Sequence, residues 1–197
     1  MTVQTAAHPE AGSAASEHYT GKLGIWWLIG SEIMIFGGVI GSFILFRLAH
    51  PEWAEHAHHL NVLIGSINTL VLLTSSYTMV RAYAAVGRKD RKAMCGNLLT
   101  SALLGFVFLV IKSVEYSGKF SAGLTPNSGV FWAFYFAMTG LHALHVLAGA
   151  IAIFILFYYS SRDRIWPIAN RIEFVGLYWH FVDVVWIFLF PLLYLTS

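Results

Sequence analysis

The chain has 197 residues, of which 57% are hydrophobic and 11% charged, with a formal net charge of +2. Its mean hydropathy is +0.66, far too apolar for a soluble domain, and the few basic residues sit in loops, which excludes a nucleic-acid stripe. Cys95 is its single cysteine, so neither an internal disulfide framework nor a Cys-based metal site can form from this chain alone.

Residues 1–22 are rich in Ala, Ser, His, Glu and Gly. They lack a basic segment followed by a short apolar run, so they do not read as a signal peptide. A disordered polar tail is expected there, followed by one transmembrane domain over 23–197. Five apolar spans are expected at about 23–47, 60–84, 96–118, 129–159 and 172–195. Each is long enough to cross ~30 Å of hydrocarbon as a helix at ~1.5 Å per residue. No ten-residue alternation of a transmembrane β-barrel is present. The fold class is therefore all-α, a polytopic membrane bundle. Trp53, Tyr83, Tyr158, Tyr159, Trp166 and Tyr194 fall where interfacial aromatic belts are expected. No internal repeat or inverted pair of broken helices points to a transporter.

Lys and Arg set the expected orientation. Arg81, Arg88, Lys89, Arg91 and Lys92 cluster between spans two and three, and Arg162, Arg164 and Arg171 between spans four and five. The other two loops hold only Arg47 and Lys119. The positive-inside rule places the N-terminus inside and the C-terminus outside. The basic loop around Arg91 and Lys92 also suits anionic lipid headgroups.

Polar groups at membrane depth are costly and usually face a bundle interior, a partner or water. In span one, Gly30-Ser31-Glu32-Ile33 places a carboxylate roughly 13 Å from the inner edge, counted at ~1.5 Å per residue. Gly37 and Gly41 form a small-xxx-small pair roughly 140–180° around the helix from it. Span one is thus expected to have two buried faces, one against its own bundle and one toward a partner or polar cavity. Gly65, Asn68, Ser75 and Ser76 fall near one side of span two. His142 and His145 share a face of span four. Glu173, Gly176, His180 and Asp183 form one stripe of span five. Lys112 and Glu115 lie near the outer edge as an expected interfacial ion pair.

Each group has a plain reading and a chemical one. Glu32 is either a hydrogen-bonded packing acid or a group at a partner interface or proton path. His142 and His145 either hydrogen-bond to span five or ligate haem b or a metal. His180 and Asp183 form either an orienting pair or a simple contact one turn apart. The cluster Glu55-His56-Ala57-His58-His59 reads as a solvated loop before it reads as a metal site. No Ser/His/Asp triad or phosphate-cradling glycine loop is present.

Spread along the chain are Gly30-Ser31-Glu32-Ile33, Ile67-Asn68-Thr69-Leu70-Val71-Leu72-Leu73-Thr74-Ser75, Asp90-Arg91-Lys92 and Lys112-Ser113-Val114-Glu115-Tyr116. Two further motifs follow, Thr139-Gly140-Leu141-His142-Ala143-Leu144-His145-Val146 and Tyr178-Trp179-His180-Phe181-Val182-Asp183-Val184-Val185-Trp186. In these stretches, over about residues 23–195, the chain resembles subunit III of the haem-copper respiratory oxidases, the cytochrome c and quinol oxidases. The resemblance implies an accessory subunit of a proton-pumping terminal oxidase in a bacterial inner membrane, with the cytochrome c branch preferred. Such a subunit binds no redox cofactor itself; haems and copper belong to partner subunits. It docks beside catalytic subunit I and other oxidase subunits, binds phospholipids, supports proton uptake, and does not bind nucleic acid.

The resemblance makes Glu32 the membrane acid near the catalytic subunit's proton-uptake path. It makes His142, His145, Glu173, His180 and Asp183 an internal polar network, and puts Arg81, Arg91 and Lys92 near lipid headgroups. This chain lacks the first two helices of the family's seven-helix form, between which and the other five the usual lipid cleft lies. It matches the short five-helix form. The electron donor and membership of a respiratory supercomplex stay open. A haem b membrane anchor, with His142 or His145 and His180 as ligands, and a nitric oxide reductase subunit remain as alternatives.

Overall fold

The computed structural model describes residues 9–51, 53, 60–162, 165 and 169–195, with side chains from Thr20 onward. The stretch Glu55-His56-Ala57-His58-His59, and with it Arg164 and Trp166, lies outside the described residues. Five helices cross the molecule: α1 (Pro9–Ala49), α2 (Val62–Gly87), α3 (Arg91–Ser121), α4 (Val130–Ser161) and α5 (Asn170–Tyr194), with a short 3-10 turn (Pro126–Ser128) before α4. All five are long and apolar enough to span a membrane, α1 over Thr20–Ala49.

The expected spans hold, and the helices run a few residues past them at several ends. The largest extension is at the N-terminus, where an irregular tail was expected through residue 22 and the backbone is helical from Pro9. This extension has anchors. Gly21 sits against the Phe174 ring, which leaves no room for a Cβ, and Lys22 pairs with Glu173 at 3.4 Å. Residues 21 and 22 of α1 therefore lie level with the first turn of α5, and the two helices run parallel.

Local signals explain the other boundaries. Asn61 caps α2 by accepting from the Ile64 amide at 3.2 Å, and Asp90 caps α3 by accepting from Ala93 at 3.0 Å. Such caps satisfy amides that have no partner inside the helix. The tight turn before Asp90 uses Lys89 at φ 53°. Gly129, at φ 145°, precedes α4 in a conformation that side chains disfavour. At the far end of the same helix, Arg91 Nε donates to the Ser160 carbonyl at 2.9 Å, and its Nη2 donates to Ser161. A cation thus closes a helix C-terminus that would otherwise leave carbonyls bare.

Helices α2 to α5 form the tight core. Trp179 of α5 is the central wedge. Cβ atoms built on Gly105 of α3 and Gly149 of α4 would meet its ring at 2.8 and 2.6 Å. Its Nε1 donates to Ser75 Oγ of α2 at 3.1 Å, and Ser75 Oγ donates to the Ser101 carbonyl of α3 at 2.9 Å. Small residues let backbones approach, and hydroxyls then tie the helices, as is usual in lipid. Helix α1 packs on the outside of this core, against α5 and α4. Near its C-terminal end Phe43 and Trp53 stack among Phe131 and Phe134 at 5.6–6.2 Å. Trp53, expected in an interfacial belt, is buried there, and so is Tyr194. Aromatic rings near helix ends here serve the core because neighbouring helices rise past them.

Candidate functional site: acid and imidazole groups at membrane depth

Glu32 lies midway along the span of α1 and turns toward its own bundle. Its Oε2 stands 2.9 Å from His145 Nε2 of α4. The other ring nitrogen, His145 Nδ1, is 2.8 Å from the Leu141 carbonyl. A carbonyl only accepts, so Nδ1 carries a hydrogen. Nε2 therefore faces the carboxyl oxygen, and an imidazole stands against an acid at membrane depth. Phe36 sets its ring edge on His145 at 5.1 Å, and the Tyr178 hydroxyl donates to the His145 carbonyl at 3.3 Å. The pair is nearly covered but borders a groove of about 550 Å³ between α1, α4 and α5, lined by Leu28, Leu144, Ala148, Phe174 and Tyr178.

The opposite side of α1 is bare. Gly37 and Gly41 meet nothing within 4 Å. Two distinct faces were expected on this span. The acid belongs to the face on the bundle and the glycines to the open one.

A second acid–base cluster closes the α2–α3 and α4–α5 core near the end of the bundle away from the basic loops. Lys112 Nζ donates to Glu115 Oε2 at 3.0 Å and to the Tyr194 hydroxyl at 2.9 Å. Tyr135 and Tyr194 donate to Glu115 Oε1 at 2.8 and 2.6 Å. Rings of Tyr116, Tyr135, Trp186 and Tyr194 surround the ammonium at 5.3–5.5 Å. The expected ion pair is present. It is buried rather than interfacial, with Lys112 only 3% exposed, because phenols from α4 and α5 roof it.

The remaining predicted residues lie between these two clusters or at the basic end. His142 is fully buried, stacked on Trp186 at 5.1 Å and edge-on to Phe108 at 5.5 Å. His180 Nδ1 lies 2.5 Å from Ser76 Oγ, and Asp183 is buried one turn further along α5. Glu173 pairs with Lys22, outside the core. Arg81 sits beside the Tyr77 ring at 5.9 Å, Lys92 is exposed, and Arg91 caps α4 as described. Tyr135, Trp186 and Tyr194 were missed as site residues. Their signal was present, since polar-tipped aromatics on two spans at the depth of Lys112 are natural partners for a buried charge.

Among the described residues no three His, Cys, Asp or Glu side chains group as a metal site. His145 has both nitrogens engaged. His142 stacks on Trp186, six residues and therefore ~9 Å along α5 from His180. That arrangement does not fit two histidines facing a single haem iron.

The sequence matches the cytochrome c oxidase subunit III family over residues 11–197. Cytochrome c oxidase subunit 3 of Corynebacterium diphtheriae is 34% identical over 95% of this chain and 94% of its own length. A probable quinol oxidase subunit 3 of Staphylococcus aureus is 31% identical over 94% and 93%. The haem-copper oxidase subunit I+III of Aeropyrum pernix is 30% identical over 87% of this chain and 22% of its own length. The chain belongs to the cytochrome c oxidase subunit III family, in its five-helix form, and is a membrane subunit of a haem-copper respiratory oxidase.

Proposed function

We propose that this chain is the non-redox accessory subunit of a proton-pumping terminal oxidase in a bacterial inner membrane, with reduced cytochrome c as the electron donor of the complex. It stabilises catalytic subunit I and keeps proton delivery to it running. The observation that carries the reading is the Glu32–His145 pair, an acid–imidazole contact at membrane depth beside a groove. The open glycine face of α1 supplies a surface on which a partner helix can pack closely. The Aeropyrum relative, named for subunits I and III in one chain, supports subunit I as that partner.

The groove beside Glu32 suits phospholipid acyl chains, and Arg81 and Lys92 at the basic end suit phospholipid headgroups. Arg81, Arg88, Lys89, Arg91, Lys92 and Arg162 all gather at the end where α2 meets α3 and α4 ends. That asymmetry supports a cytoplasmic placement for this end and for the N-terminus. The test is a tagged isolation in mild detergent, followed by oxygen uptake with reduced cytochrome c and with a quinol. Oxygen uptake with cytochrome c and a co-purifying larger subunit is expected. Uptake with quinol alone moves the chain to the other branch, and a chain that purifies alone with its own haem spectrum overturns the reading.

A further inference from the structure

Three side chains in the middle of the α2–α5 core carry polar atoms without a hydrogen-bond partner among the described residues. They are Asn68 (both amide atoms), His142 (both ring nitrogens) and Asp183 (both carboxylate oxygens). Asn68 and His142 are 0% exposed and Asp183 is 3% exposed. A buried polar group without a partner costs ~1–3 kcal/mol, and most such groups in folded proteins are matched by protein or water.

The three belong to one place. Trp186 of α5 marks the level: its ring stacks on His142, and its Nε1 donates at 3.0 Å to Thr69 Oγ1, one residue along α2 from Asn68. Asp183 lies one turn before Trp186 on the same face of α5. Ser76 stands within hydrogen-bond reach of Asp183 and 2.5 Å from His180 Nδ1, so its single hydroxyl hydrogen satisfies at most one Asp183 oxygen. Below Asp183 the polar groups are closed by that Ser76–His180 pair. Above His142 they are closed by the Lys112–Glu115 cluster, whose ammonium sits over the Trp186 ring at 5.3 Å. Between the two ends only Asn68, His142 and Asp183 remain unmatched, and both donors and acceptors are among them.

We propose that this part of the core binds water. A small group of ordered water molecules between α2, α4 and α5 bridges Asp183, Asn68 and His142, and joins the His180–Ser76 pair to the Lys112–Glu115 cluster as one polar seam. Buried water commonly completes groups of this kind with two to four hydrogen bonds. The seam lies inside this chain, apart from the Glu32 groove, and goes beyond the role proposed above.

Radiolytic labelling of the intact oxidase complex in heavy-oxygen water tests it. Hydroxyl radicals formed at bound water oxidise the side chains that touch it. Trp186 and His142 are expected to take up heavy oxygen several-fold faster than Trp179, which is equally buried but wedged against Gly105 and Gly149 with its Nε1 bonded to Ser75. Asn68→Leu, in complex that still assembles, is expected to lower labelling at Trp186 toward the Trp179 level. Equal slow labelling of both tryptophans in the native complex overturns the proposal, and so does labelling of Trp186 that Asn68→Leu leaves unchanged.

Discussion

The molecule holds two acid–base pairs at about 3 Å, and they are built for different work. Lys112–Glu115 is enclosed by α3, α4 and α5, receives two further phenol hydrogen bonds, and touches four aromatic rings. Glu32–His145 joins the outer helix α1 to α4 through a single contact, with a groove alongside. A charge pair held by several hydrogen bonds among aromatic rings is fixed in place. A pair joined by one contact beside a groove has fewer restraints. The first therefore ties α3, α4 and α5 together, and the second ties α1 to α4.

Breaking the enclosed pair has the largest expected effect. Lys112→Met leaves Glu115 buried among phenols without its cation, and is expected to cost about 3–5 kcal/mol. Thermal unfolding of the subunit in micelles reads this as a large drop in midpoint. Adding Glu115→Leu to Lys112→Met is expected to recover most of the loss, which separates the pair's matching from any gain in stability over an apolar core.

Next comes the packing that surrounds it. Gly149→Val forces side-chain atoms into the Trp179 ring, whose carbon already lies 2.6 Å from a built Cβ. Overpacking of this kind costs ~1–3 kcal/mol, measurable in the same unfolding experiment. Glu32→Gln keeps the size of the side chain and removes its carboxylate. Assembly is expected to change little, while turnover weakens. Gly37→Ala is the smallest change for the isolated chain, since nothing lies within 4 Å, and unfolding is expected to be unaltered. Co-purification with the catalytic subunit is where that variant is expected to show a loss, if the open face of α1 is the dock.

Helix number and span were legible because long apolar runs admit few other structures. Face assignments within one helix were legible in part, since Glu173 pairs with Lys22 outside the core and His145 turns to α1 while His142 turns to α5. The Gly65, Asn68, Ser75 side of α2 is buried as its spacing indicates, and the α5 stripe places Gly176 and Asp183 in the core. Partners across helices were not. Glu32 meets a histidine far along the chain, and nothing in the local pattern of either residue selects the other. Depth counting put Lys112 near an outer edge but said nothing about what stood sideways of it, and Tyr135 and Tyr194 decide that it is buried. Arg91 looked like a headgroup contact from its loop position, and the α4 carbonyls beside it engage two of its nitrogens. Helix α1 begins at Pro9, ahead of the apolar run, and composition does not display the contacts that Gly21 and Lys22 make to α5.

Under the proposed function, Glu32 supports proton delivery in a complex that assembles without it. The decisive experiment is sustained oxygen consumption by purified oxidase carrying Glu32→Gln, followed over many turnovers beside the native complex. The expected result is a complex of normal subunit composition whose rate is modestly lower or declines earlier during turnover. A complex that fails to assemble, or one whose sustained rate equals the native rate, would contradict it.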